Sequence, residues 1–399
     1  MADTNTTPAR AGIVLSGGGA RGAYEAGVTA GIIETLVARG SRHPFSIFTG
    51  TSVGAINAAW LAAHADCADL CVGGLLEQWR ALDLGEHLRI SPRRFLLRGR
   101  AGDRLGRSLV DPRALEKLVG TRIPFERLHA NVDAGLVHAL VIAAFNVGTT
   151  RTTMFAELAE GASFKSSRDA RRVAKPTRIR DVHVLASAAI PLVFPARRIG
   201  TRYYCDGGIR FNTPLAPAIR TGADRLLVVS ALHQQPTGDV PRSTEARHTA
   251  AYPSPLFLMG KVLTALLLDP LDHDVAVMDR INRLWRTLET TLEPAELHRI
   301  QDVLRATRGA AYREVRTLVF HPSEDIGEMA AAYARETRHR SLTDRLFAAL
   351  STRGNEMEAD LLSFLLFDGG FATQLIELGR GDARRRADEV CAFFAPEAS

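Results

Sequence analysis

The segment FTGTSVGAINA, Phe48 to Ala58, contains Gly50-Thr51-Ser52-Val53-Gly54, a G-x-S-x-G pattern. It follows a short apolar run and precedes an alanine-rich stretch. That context predicts a serine on a sharp strand-to-helix turn, presented as a nucleophile. Gly50 and Gly54 relieve crowding around such an elbow and let strand and helix approach. A serine is also a good helix N-cap, so the pattern needs chemical partners to mean more. Above all it needs a base, because a serine hydroxyl alone is a weak nucleophile.

Candidate histidines after Ser52 include His183, His233, His248, His273, His298, His321 and His339. None stands at a strand end flanked by glycines, and each reads as a packed or surface histidine. Asp206 does stand at such an end. In RYYCDGG the carboxylate directly follows a β-type run, with Gly207 and Gly208 behind it leaving room for a substrate. An Asp-Gly pair by itself also marks a simple turn.

A third group of residues precedes both. Gly17-Gly18-Gly19-Ala20-Arg21-Gly22 fits G-x-G-x-x-G between the apolar run Ile13-Val14-Leu15 and a helical pattern. A dinucleotide site would require an acidic residue about 20 positions on. Ala38 to Ser46 contains none. The other use of such a loop is an oxyanion hole. Its N–H groups, helped by the following helix N-terminus, would face a developing negative charge.

GGGARG, GTSVG, SAAIPLVFP and DGG, the last followed by Asn212 and Pro214, occur in this order. Together they resemble the patatin-like phospholipase family, over about Gly12 to Ala231. The resemblance implies a Ser-Asp dyad without histidine, with Ser52 as nucleophile and Asp206 as base. It implies Gly18, Gly19 and the Arg21 backbone N–H as the oxyanion hole, supported by Gly17, Gly22, Gly50, Gly54, Gly207 and Gly208. The Arg21 side chain keeps two readings, contact with lipid phosphate or support of the loop. The implied activity is a phospholipase A or lysophospholipase acting on phospholipid or lysophospholipid esters, with no metal and no cofactor. An acyltransferase using the same serine and a non-catalytic lipid-binding regulator are the alternatives. Thr51 rather than histidine before Ser52 speaks against the first, and the presence of both Ser52 and Asp206 against the second.

The elements that must position these residues are legible as a repeated pattern. Strand, glycine loop and helix are followed by strand, Ser52 and helix, which argues a parallel sheet with helical crossovers. The expected fold is a three-layer α/β/α core over residues 11–235 with a mostly parallel sheet. VHALVIAAFNVG and TTRTTMFAEL read as two pairing strands, and DRLLVVSAL as a buried one. Residues 236–399 read as a mostly helical extension packed on the core, with an added strand near 314–321. In that extension VAVMDRINRLWRTLETTL aligns Val277, Ile281, Leu284 and Leu288 on one stripe.

Composition narrows the partners. The 399 residues are 46% hydrophobic, enough for a sizeable core. The net charge of +6 fits an anionic partner such as a membrane surface. Arg89 to Arg107 holds seven arginines and one acid around Phe95, Leu96 and Leu97, a pattern suited to peripheral contact with anionic lipid or to a solvated basic loop. No nucleic-acid motif accompanies it. The apolar run Pro255 to Leu268 is short for a spanning helix and reads as core or as a homodimer contact ahead of a membrane face. Four scattered cysteines suggest reduced thiols, and the polar N-terminal residues contain no apolar signal segment. The expected location is the cytoplasm, with peripheral attachment to membrane as an extension of it.

Overall fold

The computed structural model describes residues 10–41, 43–82, 113–164, 169–191, 193–211, 215–234, 258, 260–262, 264–265, 269–308, 312–337 and 359–395. Its centre is a sheet in the order β5-β4-β3-β2-β1-β8-β9, with a β6–β7 hairpin joined to β3. The strands are β1 (Ala11–Leu15), β2 (Ile47–Thr51), β3 (Ala139–Asn146), β4 (Arg151–Leu158), β5 (Arg172–Pro176), β6 (Arg197–Ile199), β7 (Arg202–Asp206), β8 (Arg225–Val229) and β9 (Arg316–Phe320). β1 pairs in parallel with β2 and β8, β2 with β3, β8 with β9, and β4 with β5. β4 and β7 run antiparallel to β3. The architecture is a three-layer α/β/α fold with a mostly parallel sheet.

The central strands are continuous apolar runs because both sheet faces are covered. Ile13 and Leu15 of β1 face one layer of helices: α1 (Gly22–Val37), α2 (Val53–Ala63) and α3 (Ala68–Arg80). Val14 points the other way, with Leu226 and Val228 of β8, toward α7 (Leu215–Arg220) and α8 (Asp269–Thr291). Between these groups lie α4 (Arg113–Arg122), α5 (Phe125–Asp133) and α6 (Asp181–Ser187). After α8 come α9 (Pro294–Arg308), α10 (Ile326–Glu336), α11 (Ala359–Leu365), α12 (Gly369–Arg385) and α13 (Ala387–Phe394).

Helix α12 lies along α1. Their seam is made of small residues, Gly27 and Gly31 against Ile376 and Ala383, and Gly379 against Tyr24. Tyr24 Oη donates to Asp382 at 3.0 Å and Arg380 pairs with Glu34, so polar links flank the small-residue contact.

The Val277–Leu288 stripe of α8 is at most half-buried. Leu284 is 61% exposed, whereas Leu271, Met278 and Trp285 are buried. Asn282 shares their row and exchanges two hydrogen bonds with the Val315 backbone just before β9. A polar residue there shifts the apparent apolar face by one position, although the buried row is the one that reaches the sheet. The Arg89–Arg107 stretch, Asn212, Pro214, the 236–254 segment and most of the Pro255–Leu268 run lie outside the described residues. No described helix is long and apolar enough to cross a membrane.

Candidate active site

The site is assembled at the middle of β3. Residues 139–143 of β3 pair with β2 in parallel, and the register ends at Thr51 opposite Ala143. The next three residues of β3 pair with β7 in antiparallel fashion, and that register ends at Asp206 opposite Ala144. β2 and β7 thus approach head to head along β3. The residue leaving β2 is Ser52 and the last residue of β7 is Asp206. Ser52 Oγ donates to Asp206 Oδ2 at 2.6 Å, although the two are 154 residues apart in sequence.

Ser52 has φ 56° and ψ −127°, a backbone conformation that side-chain-bearing residues rarely adopt. Such a conformation costs on the order of 1–3 kcal/mol and must be held by its surroundings. The surroundings are specific. Ser52 N–H donates to Ser187 Oγ at 2.9 Å, and Ser187 donates its own proton to Ala143 O at 2.6 Å. Helix α2 presses against the end of β1. A Cβ on Gly54 would lie 2.3 Å from Leu15 O, so only glycine permits the approach.

Asp206 is held as tightly. Its N–H donates to Ala189 O at 2.9 Å and its Oδ1 accepts from Gly208 N at 2.7 Å. The carboxyl is buried at 2% exposure. Burial pushes its pKa up to about 7, against the opposing effect of the hydrogen bonds from Ser52 and Gly208. Ser187 and Ala189, both in the SAAIPLVFP motif, therefore grip the serine and the aspartate through one three-residue stretch. Ser187 was the signal available in the sequence and not assigned a role there.

The glycine loop follows β1 and faces the same cleft. Gly19 has φ +58° and lines the cleft beside Ser52. Among the described residues, no protein acceptor takes the Gly18 or Gly19 N–H. The Arg21 N–H, expected as an oxyanion donor, lies within the short turn Gly19–Arg21 and donates to Gly18 O at 3.2 Å. The Arg21 side chain runs away from the cleft into the protein and is 3% exposed. Behind the loop, Glu25 accepts from Ser16 N at 2.9 Å, from Ser16 Oγ at 3.1 Å and from Asn57 Nδ2 at 3.2 Å. Asn57 Nδ2 also donates to Gly22 O, and Trp79 Nε1 donates to Asn57 Oδ1. This network ties α1 to α2. Burial raises the Glu25 pKa to about 8. Neither Glu25 nor Asn57 was visible as a partner in sequence, because each bond closes only when α1 and α2 are side by side.

The cleft beside Ser52 has a cavity volume of about 40 Å³ and opens to solvent. Apart from Ser52 and Gly19 its wall is largely apolar, including Val53, Ile56, Trp79, Leu115, Leu118 and Phe194. That lining is apolar enough to take a hydrocarbon group. The histidines lie elsewhere. His183 packs on the Phe155 ring at 4.7 Å, accepts the Arg180 N–H, and is held near pKa 4 mainly by burial. His233 bonds Pro322 O. Among the described residues no histidine hydrogen-bonds Ser52 or Asp206.

A family model described as patatin-like phospholipase matches residues 13–219, which take in the glycine loop, Ser52, Ser187 and Asp206. The chain belongs to the patatin-like phospholipase family. It is similar to the cGAMP-activated phospholipase of Pseudomonas aeruginosa (strain BWHPSA011 / Pa011), 31% identical over 206 residues. That match covers 51% of this chain and 53% of the relative, so the two share about half their length. Among solved structures, VipD from Legionella pneumophila is 12% identical, with 96% of this chain and 67% of that chain covered at a TM-score of 0.34. Human GIVD cytosolic phospholipase A2 is 12% identical, with 98% and 61% covered at a TM-score of 0.39. At these scores neither likeness bears on mechanism.

Proposed function

We propose that the chain hydrolyses carboxylic esters of lipids, as a phospholipase A or lysophospholipase, with Ser52 as nucleophile and Asp206 as base. The observation that carries this reading is the buried 2.6 Å Ser52–Asp206 hydrogen bond beside an apolar cleft. Ser52 Oγ attacks the acyl carbonyl carbon as its proton passes to Asp206. The carbonyl oxygen gains the negative charge and is met by the Gly18 and Gly19 N–H groups. Collapse of the tetrahedral intermediate breaks the ester C–O bond, and Asp206 returns the proton to the leaving alcohol. Water, deprotonated by Asp206, then attacks the acyl-enzyme. The acyl C–O bond to Ser52 breaks, Ser52 recovers its proton, and the fatty acid leaves.

An unperturbed carboxylate is a poor base for a hydroxyl. The shift to about 7 narrows that gap, and a preformed short hydrogen bond removes part of the entropic cost of alignment. The test is Ser52→Ala assayed on p-nitrophenyl butyrate and on lysophosphatidylcholine. The expected result is hydrolysis at background with an unchanged circular dichroism spectrum; wild-type turnover in this variant overturns the reading. Product analysis with and without an added alcohol acceptor separates hydrolysis from acyl transfer.

A further inference from the structure

The side chain of Arg21 is the largest feature of the glycine loop that this chemistry leaves unused. Its guanidinium is buried, and most of its partners come from helix α11, more than 330 residues away. Nε donates to Ser363 Oγ at 2.8 Å, Nη2 to Asp360 Oδ1 at 3.4 Å, and Nη1 to Ala231 O at 3.2 Å. The Phe364 ring lies 4.5 Å beneath the guanidinium carbon. Ser363 spends its own proton on Asp360 O at 2.6 Å, which leaves its lone pairs directed at Arg21. The backbone of α11 also meets the loop directly. A Cβ on Gly19 would fall 2.2 Å from Phe364 O, at the residue whose positive φ turns the loop toward Ser52.

We propose that α11 is a working part of the oxyanion site, with Asp360, Ser363 and Phe364 acting as positioning residues that hold the Gly17–Gly19 loop through Arg21. The inference rests on the reading of that loop as the oxyanion hole.

The physical basis is the cost of a buried cation. Burial lowers the Arg21 pKa from its ordinary value, and Asp360 is the chief opposing influence. A guanidinium stripped of Ser363 and Asp360 keeps one hydrogen bond, to the Ala231 carbonyl, with the Phe364 ring and the Asp325 charge as its other support, too little for a buried cation. The loop would then relax to let the side chain reach water, and its N–H groups would leave the position they must hold. Donors in such a hole act only when aimed at the developing charge. The loop geometry is thus conditional on the seating of α11. The small-residue seam between α1 and α12 anchors the neighbouring part of the same C-terminal region.

The experiment uses the full chain, with kcat and KM measured separately on p-nitrophenyl butyrate for Ser363→Ala, Ser363→Thr, Asp360→Asn and Ser52→Ala. Ser363→Ala and Asp360→Asn are each expected to lower kcat about tenfold or more with KM within about twofold, as befits loss of transition-state rather than ground-state interactions. Ser363→Thr retains the acceptor and is expected to recover most of the loss. Wild-type kcat in both Ser363→Ala and Asp360→Asn overturns the inference. So does a fall in kcat that only tracks the folded fraction measured by urea unfolding. If Ser363→Ala does not fold, Phe364→Leu, which keeps apolar volume but removes the ring, is judged by the same two criteria. Activity in Ser52→Ala would signal failure of the dyad itself, a distinct result from active α11 variants beside an inactive Ser52→Ala.

Discussion

Asp206→Asn separates the cost of the buried carboxylate from its use. In the folded chain Asp206 titrates near 7, against an ordinary value of 3.8, because burial opposes its charge. Between about pH 4 and pH 7 the unfolded chain has lost a proton that the folded chain keeps. Folding stability therefore falls as pH rises through that window and levels off above it, by about 1.4 kcal/mol per pH unit for one group. From pH 5 to pH 7 the wild type should lose roughly 2–3 kcal/mol that Asp206→Asn does not lose. Glu25 also has a raised pKa, but it is present in both proteins and cancels in the difference. The assay is urea unfolding of both proteins at pH 5, 6, 7 and 8, reading the wild-type-minus-variant stability. The variant is expected to gain on the wild type with rising pH and to hold the gain from pH 7 to 8. Its kcat should fall by about a thousandfold, within the usual range for loss of a general base. Wild-type kcat/KM should rise about tenfold per pH unit below 7 and then plateau, because only the ionised carboxyl accepts the proton. A stability difference that is the same at pH 5 and pH 8, or a wild-type rate flat across that range, would refute the reasoning.

Two further outcomes follow from the packing around Ser52. Ser187→Ala orphans the buried Ser52 N–H and the Ala143 carbonyl, so it should cost about 1–3 kcal/mol of stability. It should also lower kcat about tenfold or more while KM changes little, checked by denaturation and steady-state kinetics. Gly54→Ala sets a Cβ 2.3 Å from Leu15 O, against backbone that cannot yield cheaply. The expected result is a loss of 3 kcal/mol or about that, with activity falling alongside, measured by thermal unfolding and ester hydrolysis.

Much of the local framework could be read in advance. Ile13–Leu15 and Phe48–Thr51 announce buried strands by apolar content, and the glycines after each announce the turns that follow. VHALVIAAFNVG and TTRTTMFAEL do pair, as β3 and β4. On α8 two neighbouring rows are both apolar enough to compete for the core. Asn282 disguised the buried row, and its partner, the Val315 backbone, is invisible until β9 is seated. The Arg21 side chain was left between two uses in sequence, since the deciding partners lie on α11.

By itself the sequence determined residue chemistry and local geometry: a serine between two glycines, an aspartate at the end of a strand, a glycine loop before a helix. These depend on near neighbours and on the steric latitude of glycine, which a short stretch contains. Only the tertiary structure decided which of them meet. Ser52 and Asp206 come within 2.6 Å because β2 and β7 pair with successive halves of one strand. Ser187 becomes the support of Ser52 and Ala189 that of Asp206, and α11 becomes the seat of Arg21, only once the chain is packed. Hydrogen bonds between residues hundreds of positions apart have no local signature, because the sheet register and helix packing that align them are properties of the whole chain.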